Sequence, residues 1–248
     1  MEGVYVGTSG WTYRHWAGLF YPEDLPSSQL LEFYSRHFRT VEINSSFYHL
    51  PREKTCRNWA GRVPEGFLFS MKASRVITHL RKLGDVEEEI ERFLSRAALL
   101  GDRLGVLLFQ LPPSLHKDLD RLERFFRLLP RGFRYAVEVR HDSWFDRDVY
   151  DLFSAYGVSF CIFHFHPLHA PWVVTAPTVY VRLHGALGRY RGSYSDEYLA
   201  ELAEKMAAWR GEGREVFCYF DNDAEGHALH DAARLMGFLH GLLGDASP

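Results

Sequence analysis

Six side chains suited to acid–base or charge-stabilising chemistry share one placement. Glu42, Lys72, Glu138, Arg140, His184 and Asp221 each stand at the C-terminal end of a short apolar run. Glu42 or Glu138 would act as general base or metal ligand. Lys72 and Arg140, with Arg182, would stabilise developing negative charge, and His184 would shuttle a proton or bind metal. Alternation along a strand groups these residues. In VEIN, Val41 and Ile43 share one face and leave Glu42 and Asn44 on the other. In YAVEVR, Ala136, Glu138 and Arg140 share a face; in YVRLH, Tyr180, Arg182 and His184 do.

The flanking loops supply substrate-binding candidates. GTSGWTYRHW brings Ser9, Trp11 and Tyr13, and Phe47-Tyr48 follow VEINSS. Aromatics at this density suit stacking on sugar or base faces, or a hydrophobic lid. HGALGRYRGSYS carries Arg189 and Arg191, able to hold an anion, among glycines that let backbone approach a ligand. Asn44, Gln110, Arg182 and Asn222 complete the set. Converging carboxylates and histidines allow a divalent metal, with Glu42, Glu138, His164, His184 and Asp221 as candidate ligands. The competing structural reading is a closed polar network that only plugs one end of the fold. Burying several charges costs several kcal/mol per ion before pairing, which weighs against that reading for the set as a whole.

Such residues need elements to bring them together. Eight apolar runs read as strands: 4–7, 40–44, 67–72, 105–111, 135–140, 158–164, 178–184 and 215–221. Between them, residues 85–101 place Ile90, Phe93, Leu94, Ala97 and Leu100 on one helical face, with Asp85 as cap. Residues 195–210 do the same with Leu199, Leu202, Met206 and Trp209, from Ser195 to Gly211. Helices also fit 28–38, 53–62, 118–128, 145–156 and 226–242, whereas HPLHAPWVVTAP, with three prolines, lacks a full one. Strand and helix alternating about eight times in 248 residues predicts an α/β fold, a TIM-like (β/α)8 barrel in a single domain over 1–244 with a tail at 245–248. A doubly wound sheet is the alternative. In the barrel, polar strand ends would converge on one pocket.

Composition bounds the rest. Hydrophobic residues make up 46% and charged residues 25%, an ordinary globular balance. A net charge of -3 argues against general attraction to nucleic acid, leaving a local basic patch open. Three cysteines, Cys56, Cys161 and Cys218, without zinc spacing, suggest core thiols in a reducing compartment. A strand starting near Met1 leaves no room for a signal peptide, and no apolar run nears the roughly 20 residues of a membrane span. A cytoplasmic protein without membrane partners is the expectation.

Several motifs together then become familiar. GTSGW at 7–11 with Trp16 and FYP at 20–22, VEINSSFYHLP at 41–51, FSMKASRVITH at 69–79, LGVLLFQLPPS at 104–114, EVRHDSW at 138–144 and YVRLHG at 180–185 resemble, in order, the motifs of the YecE-like family, domain-of-unknown-function family 72. The resemblance implies a TIM-like barrel and brings no activity. The chain departs from the family pattern at Asp221-Asn222, where two asparagines are usual, and at FHFHP, where an acid is expected. From the residues, the leading expectation is a hydrolase or lyase acting on a phosphorylated or sugar-containing substrate. A Glu42/Glu138 glycosidase pair is a weaker form, since it needs carboxyls about 5–9.5 Å apart. The alternatives are a module binding single-stranded or damaged nucleic acid and a sensor of a small anionic metabolite.

Overall fold

A computed structural model of the chain describes residues 2–244, so the tail at 245–248 lies outside the described residues. The Val-, Phe- and Tyr-rich runs form strands β1 (Val4–Thr8), β2 (Thr40–Ile43), β3 (Leu68–Lys72), β4 (Leu104–Gln110), β5 (Arg134–Glu138), β6 (Ser159–Phe160), β7 (Ile162–Phe165), β8 (Leu168–His169), β9 (Thr178–Leu183) and β10 (Glu215–Phe220). Helices α1 (Leu30–Tyr34), α2 (Glu53–Ala60), α3 (Glu87–Ala98), α4 (Leu119–Leu128), α5 (Arg147–Tyr156) and α6 (Asp196–Gly211) fall between them, and α7 (His227–Leu243) follows β10. The expected apolar stripes are buried: Ile90, Phe93, Leu94 and Ala97 on α3, and Leu199, Leu202, Met206 and Trp209 on α6. Ser195 caps α6 by accepting from the Tyr198 amide. Asp85 does not cap α3. Its φ is +49°, and Val86, without a side-chain acceptor, occupies the cap position.

The strands form two five-stranded sheets, ordered β1-β10-β9-β7-β8 and β2-β3-β4-β5-β6. Every pairing is parallel except the β7–β8 hairpin. Parallel neighbours require crossovers, which the helices supply. The fold is thus mixed α/β with parallel sheets, and neither sheet closes on itself. The sheets meet along two seams. One is the sixth apolar run, broken at Cys161: β6 pairs with β5, whereas β7 pairs with β9. The other lies between β1 and β2, where a parallel bridge joins Ser9 to Glu42. There the buried Tyr34 hydroxyl accepts from the Thr8 amide (3.0 Å) and donates to the Thr40 carbonyl (3.1 Å), doing the work of a missing ladder bond. Gly7 is needed beside it, since a Cβ would lie 2.2 Å from the Thr40 oxygen.

Candidate functional site

Alternation turns Thr40 and Glu42 of β2, Ser70 and Lys72 of β3, Ala136 and Glu138 of β5, Tyr180 and Arg182 of β9 and Phe217 and Tyr219 of β10 to a shared interior. The contacts bear this out: Tyr219 touches both Thr40 and Ser70. Arg182 stands at the centre, fully buried. Its Nη1 donates to Glu138 Oε2 at 2.6 Å, and its Nη2 to Glu42 Oε1 at 2.7 Å and Asp221 Oδ2 at 3.3 Å. Glu42 also accepts from Ser9 (2.6 Å) and Tyr180 (2.7 Å). A buried carboxylate survives only with such company. Burial pushes the Glu138 carboxyl up, but the guanidiniums of Arg140 and Arg182, with His184, outweigh it and hold the group well below the usual carboxylate range. Asp221 is also lowered: burial raises it, and the His184 hydrogen bond and Arg182 outweigh that.

Arg140, just past β5, pairs with Glu138 and directs Nη2 to His184 Nε2 at 2.9 Å. The other ring nitrogen, Nδ1, lies 3.0 Å from Asp221 Oδ2, so the ring bridges the guanidinium and that carboxylate. Arg140 is nearly buried beneath Phe165, its guanidinium carbon 3.8 Å from the ring centroid; Arg189 stacks on the same ring at 5.0 Å. Nε and Nη1 of Arg140 are buried without a hydrogen-bond partner.

Above this floor lies a cavity of about 520 Å³, lined in part by Phe47, Tyr48, Lys72, His79, Gln110, Arg140, His141, Asp142, Phe165, Arg189 and Tyr190. Lys72, Arg140 and Arg189 face one carboxylate, Asp142, whose side chain is 78% exposed. The cavity is therefore net positive in a chain of net charge -3. Burial, aided by Arg182, pushes Lys72 down to about 8 against the opposing pull of Asp221, Glu138 and Glu42. Burial, with Lys72, Arg75 and Arg140, takes His79 to about 4, so its ring is neutral at pH 7.

The structure thus brings together Ser9, Glu42, Glu138, Arg140, Arg182, His184 and Asp221 in one network, and Lys72, Phe47, Tyr48, Gln110, Arg140 and Arg189 around one cavity. Other candidates stand outside the cavity lining. Glu42, Glu138, Arg182 and Ser9 are buried, hydrogen-bonded to one another and outside the cavity lining, with Glu138 Oε1 and Arg182 Nε left without a hydrogen-bond partner. Trp11 packs edge-on against Trp59 and Phe69 in the core outside the interior face, not in the cavity wall. Tyr13 donates its hydroxyl to the Ser9 carbonyl. Asn44 sits beside the strand end with its carbonyl oxygen buried and unpartnered, off the cavity lining. Asn222 turns away to Asp231 and the Gly192 carbonyl, and Arg191 is exposed outside the lining.

Of the metal candidates, Glu42, Glu138, His184 and Asp221 share the network around Arg182 and His164 lies apart. His164 faces outward with Leu183, its partner in register, and its Nδ1 meets Tyr194 at 2.9 Å, because β7 turns Phe163 and Phe165 inward instead. The inner carboxylates face guanidinium groups. Among the described residues no group of three or more His, Cys, Asp and Glu is placed to hold a metal ion. Eight cavity residues escaped sequence reasoning: His79, Pro113, His141, Asp142, Phe165, Pro167, Leu168 and Tyr190. His79 lies on a π-helical turn, Val76–Leu80, of the kind often found at functional sites. It and His141 sit inside FSMKASRVITH and EVRHDSW, so loop position after a polar strand end was the available signal.

Comparisons with known proteins agree with this architecture. The family described as "Protein of unknown function DUF72" matches residues 5–246. The UPF0759 protein YecE of Escherichia coli K12 is 32% identical over 143 residues, 57% of this chain and 50% of that protein, so the match spans half of the relative's length. The UPF0759 protein YunF of Bacillus subtilis 168 is 24% identical over 95% of this chain and 94% of its own. A DUF72 family protein from Thermotoga maritima superposes with a TM-score of 0.86 at 30% identity, covering 96% of this chain and 99% of that one. One from Enterococcus faecalis V583 reaches 0.82 at 22% identity, over 96% and 95%, a likeness of fold. With the family match running across nearly every strand and helix described above, the chain belongs to the DUF72 family.

Proposed function

We propose that the cavity takes a small phosphorylated or sugar-containing anionic substrate and that the chain acts on it as a lyase or hydrolase. The observation that carries this reading is Arg140, whose Nε and Nη1 are buried beside the cavity without a partner. Unpaired buried donors are costly, and a phosphate or carboxylate in the cavity would supply the missing acceptors. Arg189, stacked on the same Phe165 ring, offers a second guanidinium for bidentate contact. The lyase form is favoured. The wall offers a nearly buried amine, Lys72, able to take a proton near neutral pH, whereas its carboxylate, Asp142, is mostly solvated. Glu138, His184 and Asp221 hold Arg140 in place from below.

The same reading extends to the fold. Counting β6 and β7 as one stave, eight parallel staves would form a TIM-like (β/α)8 barrel, with the Ser9–Glu42 bridge joining the last seam. The ion pair from Arg182 on β9 across to Glu42 on β2 supports it. Active groups in such barrels stand at strand C-terminal ends, which is where Lys72 and Arg140 stand. A second reading, binding of single-stranded nucleic acid, is favoured by exposed Tyr48 and Tyr190 at the rim beside Arg189.

Calorimetric titration of sugar phosphates, inorganic phosphate and oligonucleotides, with Arg140→Leu and Arg189→Ala variants, tests these readings. The expected result is binding of the sugar phosphate, weakened about ten- to a hundredfold by loss of either guanidinium, with product formed from the wild type. Stabilisation without product would make the protein a sensor of a small anion. Oligonucleotide binding that collapses between low and moderate salt would favour the second reading. Affinity unchanged in both variants would sink the first.

A further inference from the structure

Buried lysines are normally paired. Lys72 is 8% exposed, yet among the described residues its Nζ makes no hydrogen bond and no ion pair; it rests 4.4 Å above the Phe47 ring. The reason lies beneath it. The nearest carboxylates, Glu42, Glu138 and Asp221, are already engaged by Arg182, Arg140 and His184. Lys72 therefore ends β3 as an unpinned amine in the cavity wall, held among cations and beside an aromatic face. Desolvation and a neighbouring cation are the conditions under which a lysine becomes a nucleophile rather than a counter-ion. Arg140 and Arg189, suited to an anionic group, line the same cavity, with the amide of Gln110 and the neutral ring of His79.

We propose that Lys72 forms an imine with a small aldehyde or ketone that carries a phosphate or carboxylate group. The inference deepens the reading of the cavity as an anion-binding site and rests on it. In the step, the unprotonated amine attacks the carbonyl carbon; a C–N bond forms and the carbonyl π pair moves to oxygen. One proton passes from nitrogen to that oxygen, giving the carbinolamine. The second nitrogen proton then goes to the departing hydroxyl, the C–O bond breaks, water leaves and the C=N bond forms. Once protonated, the imine draws electrons from an adjacent C–C or C–H bond, which is what a lyase requires. No oxidant or reductant takes part. Arg140 and Arg189 would hold the anionic end so that the carbonyl carbon meets Nζ.

The experiment uses the intact chain with glyceraldehyde phosphate, its uncharged counterpart glyceraldehyde, and pyruvate. Each is incubated with the protein, trapped by borohydride and read by intact mass and peptide mapping. The expected result is a single adduct at Lys72 with an anionic carbonyl, formed on the order of tenfold or more faster than at any exposed lysine near neutral pH. It is suppressed by excess inorganic phosphate and absent from Lys72→Arg. Mapping of the wild type decides the matter even where that variant does not fold. No adduct, or adducts spread over surface lysines without preference for Lys72, overturns the proposal. In that event, phosphate binding that is lost in Arg140→Leu leaves the anion-site reading standing, whereas failure of the wild type to bind phosphate removes both.

Discussion

At the scale of single residues, the role proposed for Lys72 opposes stability. Its proton affinity in the fold is lowered from an ordinary 10.5 to about 8. Each tenfold change in proton affinity corresponds to about 1.4 kcal/mol, so keeping the ammonium buried at neutral pH costs the folded state roughly 3 kcal/mol. The sign follows from linkage. Below pH 8 both states are protonated and the cost is complete. Between about 8 and 10.5 the folded state has lost its proton while the unfolded chain keeps it, so the cost fades; above that range it is gone. Lys72→Met should therefore raise the unfolding free energy by up to about 3 kcal/mol at pH 7, with the advantage over wild type disappearing by pH 10.5. Urea denaturation across that range checks it, and a variant less stable than wild type at pH 7 would refute the argument. A residue kept at such a cost is expected at a site of use.

Among the elements, the β1–β2 seam is one of two interruptions in the ladder, because a tyrosine hydroxyl stands where two strands would exchange backbone bonds. Tyr34→Phe keeps the ring in its stack with Phe38 and removes only the hydroxyl. The Thr8 amide and Thr40 carbonyl then stand buried and unpaired, a loss of about 1–3 kcal/mol. Hydrogen exchange should localise the effect: the Thr8 amide loses protection before amides in the centre of β4. Equal loss everywhere would mean the seam has no independent weakness. The elements themselves were largely legible in the sequence. The 3.6-residue stripes of α3 and α6 and the Ser195 cap need only local spacing. Asp85 misled because its positive φ reflects the preceding turn, which no local pattern records. His164 misled because the break at Cys161 and the β7–β8 hairpin determine which face of the sixth run looks inward.

Across the whole molecule, Arg182 ties the two sheets together: it belongs to β9 of one sheet and binds Glu42 and Glu138 of β2 and β5 in the other. Arg182→Met would leave these carboxylates buried without their common partner, and breaking such a network costs about 3–5 kcal/mol. Glu138 sets the pH dependence. Its folded pKa is depressed, so its contribution is present above the ordinary 4.5 and lost as pH falls toward the lower folded value. The deficit of the variant should thus be greatest at neutral pH and narrow in acid. Circular dichroism and tryptophan fluorescence should report one coincident transition for the wild type. An Arg182→Met protein as stable as wild type at pH 7 would mean the sheets are joined by packing alone.

The sequence by itself determined the alternation of strands and helices, the side of each strand that is polar, and the crowding of ionisable groups at strand ends. These follow from short-range periodicity and from the cost of burying charge. It also carried the family, since the motifs lie in linear order. Which of those groups borders the cavity was decided by tertiary structure. Arg182 pairs with Glu42 and Glu138, and that pairing leaves Lys72 without a counter-ion among the described residues and Arg140 with donors to spare. Pair formation among residues up to 140 positions apart depends on register and depth, and neither can be read from spacing along a chain.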